Sequence, residues 1–218
     1  MNILTNQQFL ELLLQGFWIT AAVSSMAVVG SFMLGLSAAL LQSAGGPVVS
    51  FMSKAYEELF RNIPFIVLIF FFYFGLPVLG VFISPFFTGV LALSVAVGAY
   101  NTAIIRAGID QVDKDIVSAA VSFGHSKYQI YSRILLPIAL RTSIRPLGSM
   151  FANLILTSSI LSTITLNELT GSAKIIASYT FKPFEVYVLL MLFYCVLTYA
   201  ITILINLMHT RMNKIMVN

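Results

Sequence analysis

Apolar residues dominate the 218-residue chain in long unbroken runs, and the few charges fall between them. A helix needs about 20 mostly apolar residues to cross a hydrocarbon core about 30 Å thick. No charge occurs between Glu11 and Lys54, and "GFWITAAVSSMAVVGSFMLGLSAALLQ" predicts a first span over 16–42, closed by the Gly and Pro residues of "SAGGPV". A second charge-free run separates Arg61 from Arg106 and accommodates two crossings, over 56–78 and 85–106, with the turn in "GLPVLGVFISP". Further spans are predicted over 143–166 and 185–208. The opening "MNILTNQQFLELLLQG" has no basic residue before its apolar part, so it reads as a short amphipathic lead at the interface, not as a cleaved leader.

Composition agrees with this pattern. Only 9% of the residues are charged, against roughly 25% in soluble domains. The lone Cys195 excludes an internal disulfide framework, and His125 and His209 are too few and too far apart for a metal centre. The position of the charges sets direction. With the N-terminus outside, ten of the twelve basic residues lie on inner segments and only Lys174 and Lys182 on outer ones. Basic residues favour the cytoplasmic side, so the N-terminus is expected outside and the C-terminus inside. No period repeats along the chain. The expected architecture is an all-α membrane protein, one domain over 1–218, with about five transmembrane helices and a cytoplasmic loop between spans three and four.

That loop, about 110–137, is the most polar segment. Ile116, Ala119, Ala120 and Phe123 recur at helical spacing, with Asp115 as a candidate N-cap and Gly124 as a stop. "SKYQ", 126–129, fits a capping box opening a second short helix that shows Tyr128, Tyr131 and Leu135 before Pro137. Two short helices with a glycine corner suit either a partner's groove or the lipid headgroup layer; periodicity leaves both open.

The residues themselves resemble a known family. "SAA…G" at Ser118–Ala120 and Gly124, with Leu136–Pro137, resembles the EAA loop of ATP-binding-cassette importer permeases. "ELFRNIPFIVLIFFFYFGLP" (58–77), "AYNTAIIRAGI" (99–109) and "SSILSTITLNELT" (158–170) are similar to three further blocks of the polar amino-acid branch, in the same order. Departures fall at Ser118 and Ile116 in the loop, at Ala103 where the family carries Glu, and at Leu156 where Lys is common.

The resemblance implies a permease subunit of an ATP-driven importer in a bacterial-type inner membrane, moving a polar amino acid delivered by an external solute-binding protein. It implies two ATP-binding subunits and a second permease chain, the same or, given the departures, a different one. This chain has no phosphate-cradling Gly-x-x-x-x-Gly-Lys run, so ATP and Mg would sit in the partner ATPases and no catalytic residue is expected here. Coupling to the ATPases would fall on Ser118, Ala119, Ala120, Gly124, His125 and Pro137. Asn153, Thr157, Ser158, Ser159, Ser162 and Glu168 are the candidates for the substrate path, with Glu168 near the outer end as a gate or binding-protein contact. Small polar residues also hold helices together, and that alternative stands for each of them. Arg61 with Pro64, Arg106 and Arg145 are assigned to the inner ends of spans as structural and topological anchors. A stand-alone ion-coupled carrier, which normally wants buried acids or broken helices at midplane, and an intramembrane enzyme rank below this reading.

Overall fold

A computed structural model describes residues 7–215, with side chains to Met212. Its helices are α1 (Gln7–Ala44), α2 (Pro47–Arg61), α3 (Phe65–Val78), α4 (Pro85–Asp110), α5 (Lys114–Ser122), α6 (Lys127–Ile164), α7 (Leu169–Thr180) and α8 (Pro183–Ile215). Four of them (α1, α4, α6 and α8) are long and apolar enough to cross a membrane, and α2 with α3 makes a fifth crossing if the bent pair counts as one.

Three predicted boundaries move. Residues 7–16 do not lie apart as an interfacial lead: they are the first turns of α1, which runs unbroken for 38 residues, about 57 Å. Leu13 and its neighbours are held there by Leu169, Ile176 and Val186 of α7 and α8; residues 1–6 lie outside the described residues. Span two is not one straight helix over 56–78, because the chain bends by 104° between α2 and α3. The bend falls at "NIP", 62–64, where Pro64 disfavours helical geometry for the residue before it. The helix that carries span four extends well before 143, to Lys127, so the second loop helix and the span are one rod.

Pro137 does not end that rod because the helix widens just before it. The Leu136 N–H donates to the Tyr131 carbonyl, an i to i−5 bond closing a π-turn over Tyr131–Leu135. In a regular helix the proline ring would strike the carbonyl four residues back; one added residue per turn removes that collision. The same device precedes Pro77, where the Leu76 N–H donates to the Phe71 carbonyl. "FFYFGLP" and "YSRILLP" are two copies of one solution.

The long helices pack along a seam of small residues. α1 buries Gly16, Thr20, Val23, Ala27, Ser31 and Gly35 at three- and four-residue spacing. It runs parallel to α4, with Gly30 against Ser94 and Gly35 against Asn101. Lipid tails are as apolar as leucine, so close backbone approach, not expulsion from water, supplies the attraction. Apolar clusters then stack along the bundle: Leu13 with Val186, Val23 with Leu93 and Leu161, Ala39 with Ile105 and Leu147, and finally Val112 with Ala120 and Ile130.

This seam is testable. A Cβ on Gly35 would lie 2.5 Å from the Asn101 Cβ and 3.1 Å from the Gly98 carbonyl oxygen, whereas one on Gly46 meets nothing within 4 Å. Overpacking of this kind costs about 1–3 kcal/mol. Gly35→Val should therefore lower the melting temperature and the yield of monodisperse protein in detergent, and Gly46→Val should leave both unchanged.

Candidate functional site: a capped interhelical segment, a charge ladder and a polar groove

The segment between α4 and α6 is tightly fixed to the bundle. Asp113, not Asp115, caps α5, its carboxylate accepting from the Asp115 N–H at 2.9 Å. Gly124 ends α5 at φ +78°, in the left-handed region that glycine enters without a Cβ penalty. The His125 N–H then donates to the Ala120 carbonyl at 3.1 Å, closing the helix end. The capping box at Ser126 is formed, with the Gln129 N–H donating to Ser126 Oγ and the Ser126 N–H to Gln129 Oε1. Val112, Ala120, Ile130 and Leu135 lock α5 onto the first turns of α6, and Tyr131 donates its hydroxyl proton to the Ser43 carbonyl at 2.6 Å, tying α6 to the end of α1.

The apolar face predicted for α5 is therefore divided. Ala120 is buried, while Ile116, Ala119 and Phe123 face outward, Phe123 at 84% exposure. Ser118, Gly124 and His125 are exposed beside them, and Tyr128 projects at 80%. Pro137 stands apart, half-buried inside the continuous helix. Among the described residues, nothing covers the Ile116–Phe123–Tyr128 surface.

Arg61 and Arg106 are parts of a ladder. Arg61 Nη1 is 3.0 Å from Glu57 Oε1, Gln42 Nε2 donates to Glu57 Oε2 at 2.9 Å, and Arg106 Nη1 donates to Gln42 Oε1 at 2.9 Å. Asp110 lies 3.7 Å beyond on Arg106 Nε, and the Tyr100 ring sits 5.5 Å under the Arg61 guanidinium. Glu57 is buried, and its two oxygens are both engaged, which is the condition for holding a charge out of water. The ladder cross-links α1, α2 and α4. Gln42 and Glu57 carried no sequence signal, because their pairing depends on the α1–α2 turn.

The predicted path residues do not form one surface. Ser158 is buried and donates to the Ile155 carbonyl, Ser159 to that of Leu156, and Ser162 to that of Ser159, the three serines lying on the tightened helical stretch over Ser158–Ile164. Ser162 also accepts from Lys174 Nζ at 2.8 Å. Thr157 is half-buried. Glu168 is not on an outer surface: it is fully buried at the N-terminus of α7. The Gly171 N–H donates to one carboxylate oxygen at 3.0 Å; the hydroxyls of Thr20 and Tyr194 donate to the other at 3.2 and 2.9 Å. Burial raises the Glu168 pKa, the hydrogen bonds from α7, Tyr194 and Thr20 opposing it.

Among the six, Asn153 lines a groove of about 490 Å³ between α6 and α8 together with Arg145, Ser149, Thr202 and Asn206. Arg145 lies within the long helix α6, and neighbouring Ile144 packs with Ala39 and Ile105. Thr202 and Asn206 were missed by the sequence reading, since in "LTYAITILINL" they pass for isolated polar residues of an apolar span.

Comparison with known proteins bears on this arrangement. Residues 10–216 match the family described as binding-protein-dependent transport system inner membrane component. A probable glutamine ABC transporter permease of Bacillus subtilis is 37% identical, covering 92% of this chain and 93% of its own length. A glutamine transport system permease protein of Escherichia coli is 27% identical, covering 93% and 94%. The crystal structure of an amino acid ABC transporter with histidines superposes with a TM-score of 0.87 at 30% identity, covering 97% of this chain and 99% of the other.

The Glu168 network makes a prediction. Glu168→Ala removes a helix cap, worth about 1 kcal/mol, and strands buried donors at about 1–3 kcal/mol, so the melting temperature in detergent should fall sharply. Glu168→Gln should fall less. Because the folded chain holds this proton above the ordinary value of 4.5, the protein should lose stability as pH rises from there through the raised pKa. Glu168→Gln should abolish that slope in a thermal-shift series.

Proposed function

Because this chain belongs to the family of binding-protein-dependent transport system inner membrane components, we propose that it forms half of a translocation path for a polar amino acid, with two ATPase chains gripping α5. The observation that carries this reading is mechanical. The exposed surface of Ile116, Phe123 and Tyr128 is fastened to α6, which continues without a break from Lys127 to Ile164. A partner that moved α5 would move span four directly, as a rigid body. Ser118, Ala119, Gly124 and His125 lie on the same exposed segment, where small side chains let a helix sit deep in a groove.

The ATPases would hold ATP and Mg, and this chain would supply no catalytic group. A solute-binding protein would deliver the substrate on the face opposite α5. The relatives named for glutamine transport support a polar amino acid as substrate. The α6–α8 groove, with Arg145, Asn153 and Asn206, is the surface we assign to the path between two permease chains. The second permease is a different chain, in keeping with Ala103 and Leu156 at positions where polar groups are common. The N-terminus is outside and α5 cytoplasmic, as the basic residues require.

Gly124→Asp tests the docking surface. A Cβ there meets nothing within 4 Å among the described residues, and the left-handed conformation costs an Asp about 1–2 kcal/mol. The variant should therefore insert and fold, yet uptake into vesicles should fall at least tenfold, uncoupled from ATP hydrolysis. Phe123→Ser should reduce copurification of the ATPase to a similar degree. Normal uptake in both variants would place the docking elsewhere. A purified complex containing this permease type alone would refute the mixed pair.

A further inference from the structure

α6 ends in a strained form. Its last residues, Ser158–Ile164, are wound as a 3-10 helix seven residues long, and runs beyond three or four residues are uncommon in that form and mark a hinge or strain. Ser158, Ser159, Ser162 and Thr163 each donate a hydroxyl proton to the carbonyl three residues back, the carbonyl that a tightened turn uses. Thr165 then takes φ 62° and ψ 14°, in the left-handed region. Thr165 and Phe181 are the two non-glycine residues with positive φ among the described residues. A side chain branched at Cβ fits that region poorly, whereas glycine enters it without a steric cost.

The hydroxyl is what a threonine adds there. Thr165 Oγ1 lies 3.2 Å from the Tyr73 hydroxyl, and Tyr73 sits in the widened turn of α3 over Phe71–Gly75. Thr165 itself is exposed, so burial of its methyl group does not hold it in place. The other side of the stretch is fixed. Leu161 and Ile164 are fully buried with Val23, Ile69 and Leu93. Gly89 makes room for Leu161, whose Cδ1 would lie 2.7 Å from a Cβ at that position. Lys174 of α7 donates to Ser162 Oγ at 2.8 Å. The stretch therefore has an anchored apolar face and a polar face held by two side-chain bonds, one from α3 and one from α7.

We infer that the end of α6 is a strained switch and that the Tyr73–Thr165 bond is its latch. When the bond parts, Thr165 leaves the left-handed region and the residues beyond the Leu161 anchor relax toward α-helix. Four residues shorten by about 2 Å in that change of rise, which draws the corner between α6 and α7 away from α3. The switch rests on the transport reading for what drives it. α6 runs unbroken from Lys127, so a displacement of α5 reaches Ser158 about 46 Å away.

Amide hydrogen exchange over residues 158–168, followed by mass spectrometry on the assembled transporter in detergent, tests the latch. Without nucleotide, Tyr73→Phe should speed exchange there about threefold or more, the worth of one modest hydrogen bond. Thr165→Asn keeps a polar side chain and enters the left-handed region readily; it should slow exchange about fivefold or more and raise the melting temperature. Both changes leave the buried face of the stretch untouched. With a non-hydrolysable ATP analogue bound, wild type should exchange about fivefold faster than without it, and Thr165→Asn should stay slow. Uptake by Thr165→Asn should fall to the same degree, although the ATPases copurify as before. The switch is refuted if either variant exchanges as wild type does without nucleotide, if Thr165→Asn transports normally, or if the analogue leaves wild type unchanged. Wild-type uptake that ignores ATP would instead refute the transport reading, and the two variants compared without nucleotide would still decide the latch.

Discussion

Close approach of α1 to α4 is the interaction on which the rest of the bundle depends. Each is a membrane-spanning helix, and neither gains from hiding apolar surface when lipid is the alternative. What they gain is dispersion contact, which needs glycine at Gly30 and Gly35 and small partners at Ser94 and Asn101. Once these two helices lie side by side in parallel, the chain between them must return in a short space, and α2 folds back along α1. That return brings Glu57 to Gln42 and Gln42 to Arg106. The ladder follows from the seam and then fixes its register, since sliding α1 by one turn would part both rungs that Gln42 makes.

The same seam places the segment between α4 and α6. Ser43, at the end of α1, receives the Tyr131 hydroxyl, so the start of α6 is located by the helix that α4 holds. Between this anchor and the core the chain contains a proline, the residue most apt to make a hinge. The π-turn at Tyr131–Leu135 takes up the missing hydrogen bond and the crowded ring in one step. A helix that was free to bend at Pro137 would absorb motion of α5 locally. The widened turn, backed by Val112, Ala120 and Ile130, instead keeps the start of α6 continuous with the span.

How much of this was legible in the sequence follows from the range of each interaction. Apolar runs identify spans because the bilayer acts on every residue alike, and the Ser126–Gln129 box and the Gly124 corner are readable because their bonds close within a few residues. Boundaries that depend on neighbours were not. Residues 7–16 continue α1 because α7 and α8 bury Leu13, and the second loop helix merges with span four because a π-turn, which has no simple composition signal, rescues Pro137. Glu168 has the same origin: its block suggests an outer-end acid, but only the tertiary fold brings Thr20 and Tyr194 to its carboxylate. Glu57 and Gln42 were invisible for the same reason.

The remaining polar surface can be weighed against lipid. An arginine at the centre of a helix in hydrocarbon costs about 2.5–3.5 kcal/mol on insertion scales, and more on others. Arg145 escapes much of that, because its long side chain can snorkel toward the nearer interface. Asn153, eight residues or about 12 Å further along α6, has no such reach, and Asn206 shares its groove. Amides held in hydrocarbon without a partner forfeit hydrogen bonds worth several kcal/mol. The α6–α8 face is thus a poor surface for lipid and a good one for water, a solute or another protein. An apolar groove over Leu147 and Phe151 has the opposite character on the same two helices. α6 and α8 therefore present two faces of unlike solvent preference, and that difference orients the bundle about the membrane normal before any partner is added.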